Sequence, residues 1–352
     1  MSPGCTQAKT SNPGPMRPSV PPSTSTWARR TRCSRAIMRR GWPALRAGVK
    51  RLARLAGMSP LFTAHVLRAL AWLAGLPGPR LRLALARFMA ARALRSNSRE
   101  ARIVEHNLRL AGLDAGLRRE ALEAASLTLL ESLRFWTRPA QRNLGDVRAV
   151  EGLALLEAAE AAGAVLIVAP HHGNWELLVQ WLARRRAFSL LYTRGASAGL
   201  DRFLKLARER HGVRAVPADA HGMKPLLRAL QAGGTVGITP DQVPDEGGAL
   251  WSSFFGVPAL TMTLIPRLAA RSGATALLAA AERRADGGFT LRLEALPAAV
   301  TSGTAEAAVD ALNLAVEQVV RRSPAQYQWT YKRFKGQRPG EDLINPYWPE
   351  CY

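Results

Sequence analysis

From Arg99 onward the chain alternates between apolar positions that recur every three to four residues and short, continuous apolar runs. The first pattern marks one face of an amphipathic helix and the second a buried strand. Together they predict helices near 99–111, 117–136, 174–185, 199–210, 222–232, 260–271 and 304–322, and strands near 164–169, 188–193, 213–217, 235–239, 275–282 and 288–295. Ala285-Asp286-Gly287-Gly288 separates the last two runs and reads as a hairpin turn, because Asp-Gly accepts the left-handed backbone of a tight reversal. The alternation predicts an α/β fold: a mixed central sheet flanked by helices, with one continuous core, for which roughly 250 residues suffice. The chain contains no internal repeat.

The front of the chain follows another pattern. Residues 1–37 read as a disordered, basic extension, since Pro3, Pro13, Pro15, Pro18, Pro21 and Pro22 among many Ser and Thr leave little to bury. The pairs Arg29-Arg30 and Arg39-Arg40 are not followed directly by an apolar run with a small-residue cleavage site, so no export signal is read there. Residues 38–98 read as a basic amphipathic or membrane-associated helical segment. Within it, residues 55–76 approach transmembrane length, but Pro60, His65 and Arg68 interrupt them, and a span wants about 20 apolar residues. An interfacial helix with a snorkelling Arg suits them better. Leu81, Leu85, Phe88 and Met89 continue the helical spacing beside Arg82, Arg87 and Arg92, either as a second basic amphipathic segment or as an ordinary helix with its apolar face in the core. Residues 99–340 form the predicted α/β domain and 341–352 a tail.

Candidate chemistry concentrates in Ala164-Val-Leu-Ile-Val-Ala-Pro-His171-His172-Gly173-Asn174-Trp175-Glu176. The run Val165 to Ala169 predicts a strand, Asn174 suits a helix N-cap, and Trp175, Leu177, Leu178 and Trp181 supply an apolar helix face. A strand-to-helix turn at the carboxyl end of a sheet is where open α/β proteins place their sites. With His171 on the turn and Glu176 one turn into the helix, the carboxylate can reach one imidazole nitrogen and fix the tautomer. The other nitrogen then serves as a general base toward a substrate hydroxyl. Backbone N–H groups at Gly173 and the helix start are candidates for stabilising an oxyanion. The plain alternative is a turn-capping His and a solvated Glu. His172 is the weaker candidate, since its side chain should point away from its neighbour's.

His171-His-Gly-Asn-Trp-Glu176-Leu-Leu resembles the His-x4-acid motif of the late acyltransferases of lipid A biosynthesis, the lauroyl/myristoyl group. The resemblance continues in order through Tyr192-Thr-Arg194, Thr239-Pro-Asp241-Gln242, Phe254-Phe-Gly256-Val-Pro258-Ala-Leu-Thr261 and Pro324-Ala-Gln-Tyr327-Gln-Trp329-Thr-Tyr-Lys-Arg333-Phe-Lys335. It runs from about Leu61 to Pro339 and departs at Gln326, where the family often has Glu. It implies transfer of a fatty acyl chain from acyl carrier protein to a hydroxyl of a lipid A precursor, at the cytoplasmic face of the inner membrane and with no metal or cofactor. It further implies His171 as base and Glu176 as its partner. Asp241 follows the strand-like run Thr235 to Thr239, so it either enters the same cleft or caps a loop. Arg194 follows the run Phe188 to Tyr192 and either pairs with phosphate or pantetheine oxygens or lies on the surface. Gly173, Asn174 and Arg333 complete the substrate-binding candidates. The family often carries one N-terminal membrane helix, which leaves the depth of attachment open between a single pass and the interface.

Charge adds to this picture by its distribution. Of 49 Lys and Arg, 19 fall in residues 1–99, which contain no Asp or Glu, so the net charge of +23 is concentrated at the front. Such a segment suits an anionic membrane surface or an acidic carrier protein. Nucleic acid is the rival partner, but zinc-finger spacing, an RNA-binding aromatic signature and a basic zipper are all missing, and aromatics are 7%. Cys5, Cys33 and Cys351 lie near the ends without metal-site spacing, consistent with a reducing compartment. The His211-Gly212 and His221-Gly222 pairs read as loop histidines. Gly233-Gly234 lacks the Lys-Ser/Thr of a phosphate loop, and no Gly-x-Ser-x-Gly elbow occurs. Alternatives of the same chemistry are another glycolipid or amino-acid lipid acceptor; an inactive homologue binding lipid or carrier protein is the alternative of another class.

Overall fold

The computed structural model describes residues 59–219, 222–244, 248–336 and 345–352. The expectations for residues 1–37 and 38–58, and those for Cys5, Cys33 and His221, lie outside the described residues.

Helices α1 (Pro60–Ala74), α2 (Pro79–Arg95), α3 (Arg99–Leu110), α4 (Leu117–Thr137) and α5 (Ala140–Leu144) lead into strand β1 (Val147–Glu151) and helix α6 (Leu153–Ala162). Then follow β2 (Val165–Val168), α7 (Trp175–Ala183), β3 (Phe188–Tyr192), α8 (Ala198–Glu209), β4 (Val213–Pro217), α9 (Met223–Gln231) and β5 (Thr235–Ile238). The chain closes with β6 (Ala249–Phe254), β7 (Val257–Met262), α10 (Leu264–Ser272), β8 (Thr275–Arg283), β9 (Phe289–Ala295), α11 (Ala299–Ser302), α12 (Ala305–Arg322) and a 3-10 turn over Pro324–Gln326.

Seven strands form one sheet in the order β1-β9-β8-β2-β5-β3-β4. β8, β2, β5, β3 and β4 run parallel, while β9 turns back antiparallel to β8, so the sheet is mixed as expected. Alternate residues of the central strands serve opposite faces, as the period of two requires. Val165 and Ile167 pack with Leu177, Leu178 and Leu182 of α7, whereas Leu166 and Val168 pack with Leu226, Leu268 and Leu312 from α9, α10 and α12. The hairpin expected at 285–288 joins β8 and β9, closed by Arg284 N–H donating to Gly288 O at 2.8 Å.

One reading of the pattern is corrected. The helix expected over 260–271 begins only at Leu264, because residues 257–262 pair with β6 in a separate two-stranded hairpin. Its turn places both Phe255 (φ 52°) and Gly256 (φ 76°) in the left-handed region, the geometry of a two-residue reversal. The Phe255 backbone is held there by its N–H donating to Glu317 Oε1 at 2.5 Å. β1 and α6 were not expected at all; β1 is an edge strand whose mixed Val-Arg-Ala-Val-Glu run carries little apolar signal.

For α2 the sequence leaves two readings open, and the helix follows the outward-facing one. It does not place its apolar face in the core: Ala86 and Ala90 are buried, while Leu81, Phe88, Leu85 and Met89 are exposed. α1 has the same polarity. Capped by Ser59, whose Oγ accepts from Phe62 N at 3.2 Å, it buries Ala64 and Ala71 against Phe203 and Leu200 and exposes Leu61, Phe62, Leu70, Trp72 and Leu73. Small residues face the protein and large apolar ones face outward. Among the described residues, no helix is long and apolar enough to cross a membrane.

Candidate functional site

β2 and β5 are parallel neighbours with Val168 opposite Ile238. Parallel strands lie about 4.8 Å apart, so the segments leaving their carboxyl ends emerge side by side. His171 stands three residues after Val168 and Asp241 three residues after Ile238. The equal offset brings them together: His171 Nδ1 lies 2.8 Å from Asp241 Oδ1, and the His171 backbone N–H donates to Asp241 Oδ2 at 2.9 Å. An ionised carboxylate only accepts, so Nδ1 carries a proton, and in the neutral imidazole Nε2 presents its lone pair. Burial pushes the Asp241 carboxyl upward, but the imidazole beside it and its hydrogen bonds outweigh that, leaving it below the ordinary carboxylate range. Tyr327, wholly buried, meets the same carboxylate; burial first, then the Asp241 charge, raise its hydroxyl well above the usual value.

The carboxylate expected to orient His171 does something else. Glu176 is buried and accepts from Arg208 of α8, with Nη2 at 2.6 Å from Oε1 and Nε at 3.4 Å from Oε2. Successive helix positions diverge by about 100°, and it is Trp175 that faces the base, its ring 5.6 Å from that of His171 and at 75° to it. The Arg208 guanidinium lies 5.1 Å over Trp175 and 5.8 Å from the Tyr192 ring. Glu176 therefore touches the base only through Arg208 and Trp175.

Other expected site groups are occupied within the fold. Gly173 N–H donates to Gln326 O at 3.0 Å and Asn174 N–H to Ala281 O at 3.0 Å, so neither is directed at an oxyanion. Gly173 (φ 60°) is required for a tight approach, because a Cβ there would sit 1.8 Å from Ala281 O. The Asn174 side chain makes no N-cap bond; its amide donates to Glu131 Oε2 at 3.1 Å, tying the turn to α4. Arg333 is buried, donating to Leu260 O at 2.7 Å and Thr261 Oγ1 at 2.9 Å, and so locks the β6–β7 hairpin. Arg194 stays on the surface, 3.1 Å from Asp219 Oδ2 and 4.0 Å from Asp201 Oδ2. His172 points into the interior, where, among the described residues, neither ring nitrogen meets a hydrogen-bond partner, and burial lowers its pKa to about 4.

Two residues outside the sequence candidates, Gln242 and Arg208, also belong to this site. Gln242 Nε2 lies 3.2 Å from His171 Nε2. The Pro324–Lys335 block forms the wall behind the turn: Gln328 N–H donates to His171 O at 3.0 Å, and Tyr331 Oη accepts from Val243 N–H at 3.0 Å. Asn107 Nδ2 holds that wall through Trp329 O at 2.6 Å and Tyr331 O at 2.8 Å, and its Oδ1 accepts from Tyr347 Oη at 2.6 Å. The residues read as a tail thus end packed against α3, with Tyr347 and Cys351 buried.

This hydrogen-bonded His–Asp pair stands on the turns after two central parallel strands, where open α/β sheets place their ligand sites. The family model of bacterial lipid A biosynthesis acyltransferases matches residues 58–336, and the chain belongs to that family. It is 26% identical over 258 residues to the lipid A biosynthesis lauroyltransferase of Escherichia coli K12, covering 70% of this chain and 83% of that one. A lipid A biosynthesis acyltransferase of Haemophilus influenzae is 25% identical over 197 residues, 55% of this chain and 61% of the relative. The palmitoleoyltransferase of Escherichia coli K12 is 29% identical over 133 residues, 35% of this chain and 41% of the relative.

Proposed function

We propose that the protein transfers a fatty acyl chain from acyl carrier protein to a hydroxyl of a lipid A precursor, with His171 as general base. The observation that carries the reading is the His171 Nδ1 to Asp241 Oδ1 contact of 2.8 Å, which fixes the tautomer and leaves Nε2 for the substrate. Nε2 takes the hydroxyl proton as the oxygen attacks the thioester carbonyl. The tetrahedral intermediate then collapses, the C–S bond breaks, and the thiolate recovers the proton from the imidazolium. Asp241 stabilises that imidazolium without itself being protonated, the role of the carboxylate in a catalytic triad. Glu176 acts at one remove, fixing Arg208 and through it the Trp175 ring that borders the base.

Both proposed substrates bear long acyl chains, and the outward apolar side of α1 and α2 supports work at a membrane surface, which we place at the cytoplasmic face of the inner membrane. Leu61, Phe62, Trp72, Leu81 and Phe88 are between 48% and 60% exposed, a surface suited to lying in the lipid interface. Arg87, Arg92 and Arg95 of α2 can meet anionic headgroups.

The test uses acyl carrier protein thioester, lipid A precursor and vesicles containing anionic phospholipid. His171→Ala abolishes transfer while sedimentation with vesicles persists; Phe62→Asp combined with Phe88→Asp weakens sedimentation. Full transfer by His171→Ala removes the proposed base, and undiminished sedimentation of the double variant removes the proposed lipid surface.

A further inference from the structure

The two backbone N–H groups at the start of the turn that suggested an oxyanion site are both consumed inside the fold, by Gln326 O and Ala281 O. The charge that develops on a thioester carbonyl oxygen still needs a donor close to the base. One side-chain amide is already there. Gln242 follows Asp241 directly and is half-buried, with Nε2 at 3.2 Å from His171 Nε2. With Nδ1 donating to Asp241, Nε2 of the neutral imidazole is an acceptor, and it is an N–H of the carboxamide that faces it. The backbone beneath Gln242 is pinned on both sides: Asp241 accepts from His171 N–H at 2.9 Å, and Val243 N–H donates to Tyr331 Oη at 3.0 Å.

We propose that the Gln242 carboxamide is a catalytic group with two roles: it caps the lone pair of His171 in the resting enzyme, and it donates to the thioester oxyanion during transfer. This inference rests on the reading of His171 as base. The acceptor hydroxyl must occupy the position from which Nε2 can take its proton, and that position is filled by the amide. Arrival of the hydroxyl displaces the amide by about the length of one hydrogen bond, which the rotatable Gln side chain allows while its Cα stays fixed. As the acceptor oxygen loses its proton to Nε2 and bonds the carbonyl carbon, the carbonyl π pair moves onto oxygen. The displaced amide N–H meets that charge. When the oxyanion re-forms the carbonyl, the C–S bond breaks and the sulfur takes the proton from Nε2. The same cap explains why the resting base is not simply open to water: until an acceptor competes for it, its lone pair is engaged.

The experiment compares Gln242→Ala and the isosteric Gln242→Glu with the parent protein, using acyl carrier protein thioester and lipid A precursor, and follows the 15N resonance of His171 Nε2 in substrate-free protein. Loss of one oxyanion donor lowers kcat by about 10²–10³-fold, with KM for the acceptor little changed. Gln242→Glu, folded and with an unchanged Tm, shows the same kcat loss because its carboxylate cannot donate. In Gln242→Ala the Nε2 resonance moves toward that of an unbonded imidazole nitrogen. A kcat within about threefold of the parent in both variants, or an unmoved Nε2 resonance, overturns the proposal. Activity retained by His171→Ala would instead overturn the reading beneath it, so the two failures are separable.

Discussion

The turn after β2 reaches two buried carboxylates, and the molecule treats them in opposite ways. Asp241 bonds the base directly, on both backbone N–H and ring Nδ1, and sits at the end of the neighbouring strand. Glu176 lies five residues along the same segment and yet spends itself on Arg208, reaching the base only through an intervening guanidinium and an indole. One carboxylate accepts hydrogen bonds from the histidine itself, the other from the arginine packed on its neighbouring indole. Closeness in sequence therefore distinguishes neither role; the direction of the side chain does.

Substitutions at the two carboxylates test that distinction, and one at the neighbouring His172 follows them, in descending size of effect. Asp241→Asn keeps the shape but offers an amide where a carboxylate belonged, disfavouring the productive tautomer. Its kcat for acyl transfer should fall by about 10⁴-fold, as for the corresponding change in a serine-protease triad; a loss below tenfold would show that Asp241 does not orient the base.

Glu176→Gln leaves the Arg208 charge buried without its counter-ion. Urea unfolding should show a loss of about 3–5 kcal/mol, accompanied by a fall in kcat of about 10²-fold as Trp175 shifts. Combining Glu176→Gln with Arg208→Met removes the orphaned charge, so stability should return while kcat does not. Recovery of both would make the pair purely structural.

The smallest effect concerns His172, whose ring nitrogens meet no hydrogen-bond partner among the described residues. Its folded pKa is lowered to about 4, against about 6.5 in an unfolded chain. Between these values only the unfolded chain binds the proton, so stability falls as pH drops from about 6.5 to 4, by about 3 kcal/mol. His172→Leu should abolish that loss in pH-dependent unfolding. Asp241, depressed instead, contributes stability that persists through this window and disappears at lower pH, as the medium passes its folded value. An identical acid profile in His172→Leu and parent would refute the assignment.

Much of the fold was legible because its signals are local. Val165 to Ala169 followed by Pro170 and the Trp175-Leu177-Leu178 face reads as strand, turn and helix without reference to anything distant, and β2 and α7 stand there. What could not be read is strand order. Nothing in residues 235–241 says that β5 lies against β2, and without that adjacency Asp241 looks like one more residue at a strand end. Glu176 was misread for a related reason: helical spacing measures how near a residue is, and the bulk of Trp175 decides which side chain fills the space beside His171. Arg333 and Arg208 show the limit of reading charge from composition, since both are buried and neither belongs to the basic surface. The outward leucines and phenylalanines of α1 and α2 carried a signal that could be interpreted either way, because periodicity reveals that a helix has an apolar side but not which neighbour that side meets.

The matched offset of His171 and Asp241 beyond Val168 and Ile238 makes the spacing of the His–Asp pair a property of the peptide ladder between two central strands. Substitutions on the outward-facing sides of α1 and α2, remote from these strands, leave that ladder untouched. Such an arrangement lets a scaffold exchange the length of the chain it delivers, or the alcohol it delivers to, while inheriting its chemistry unaltered.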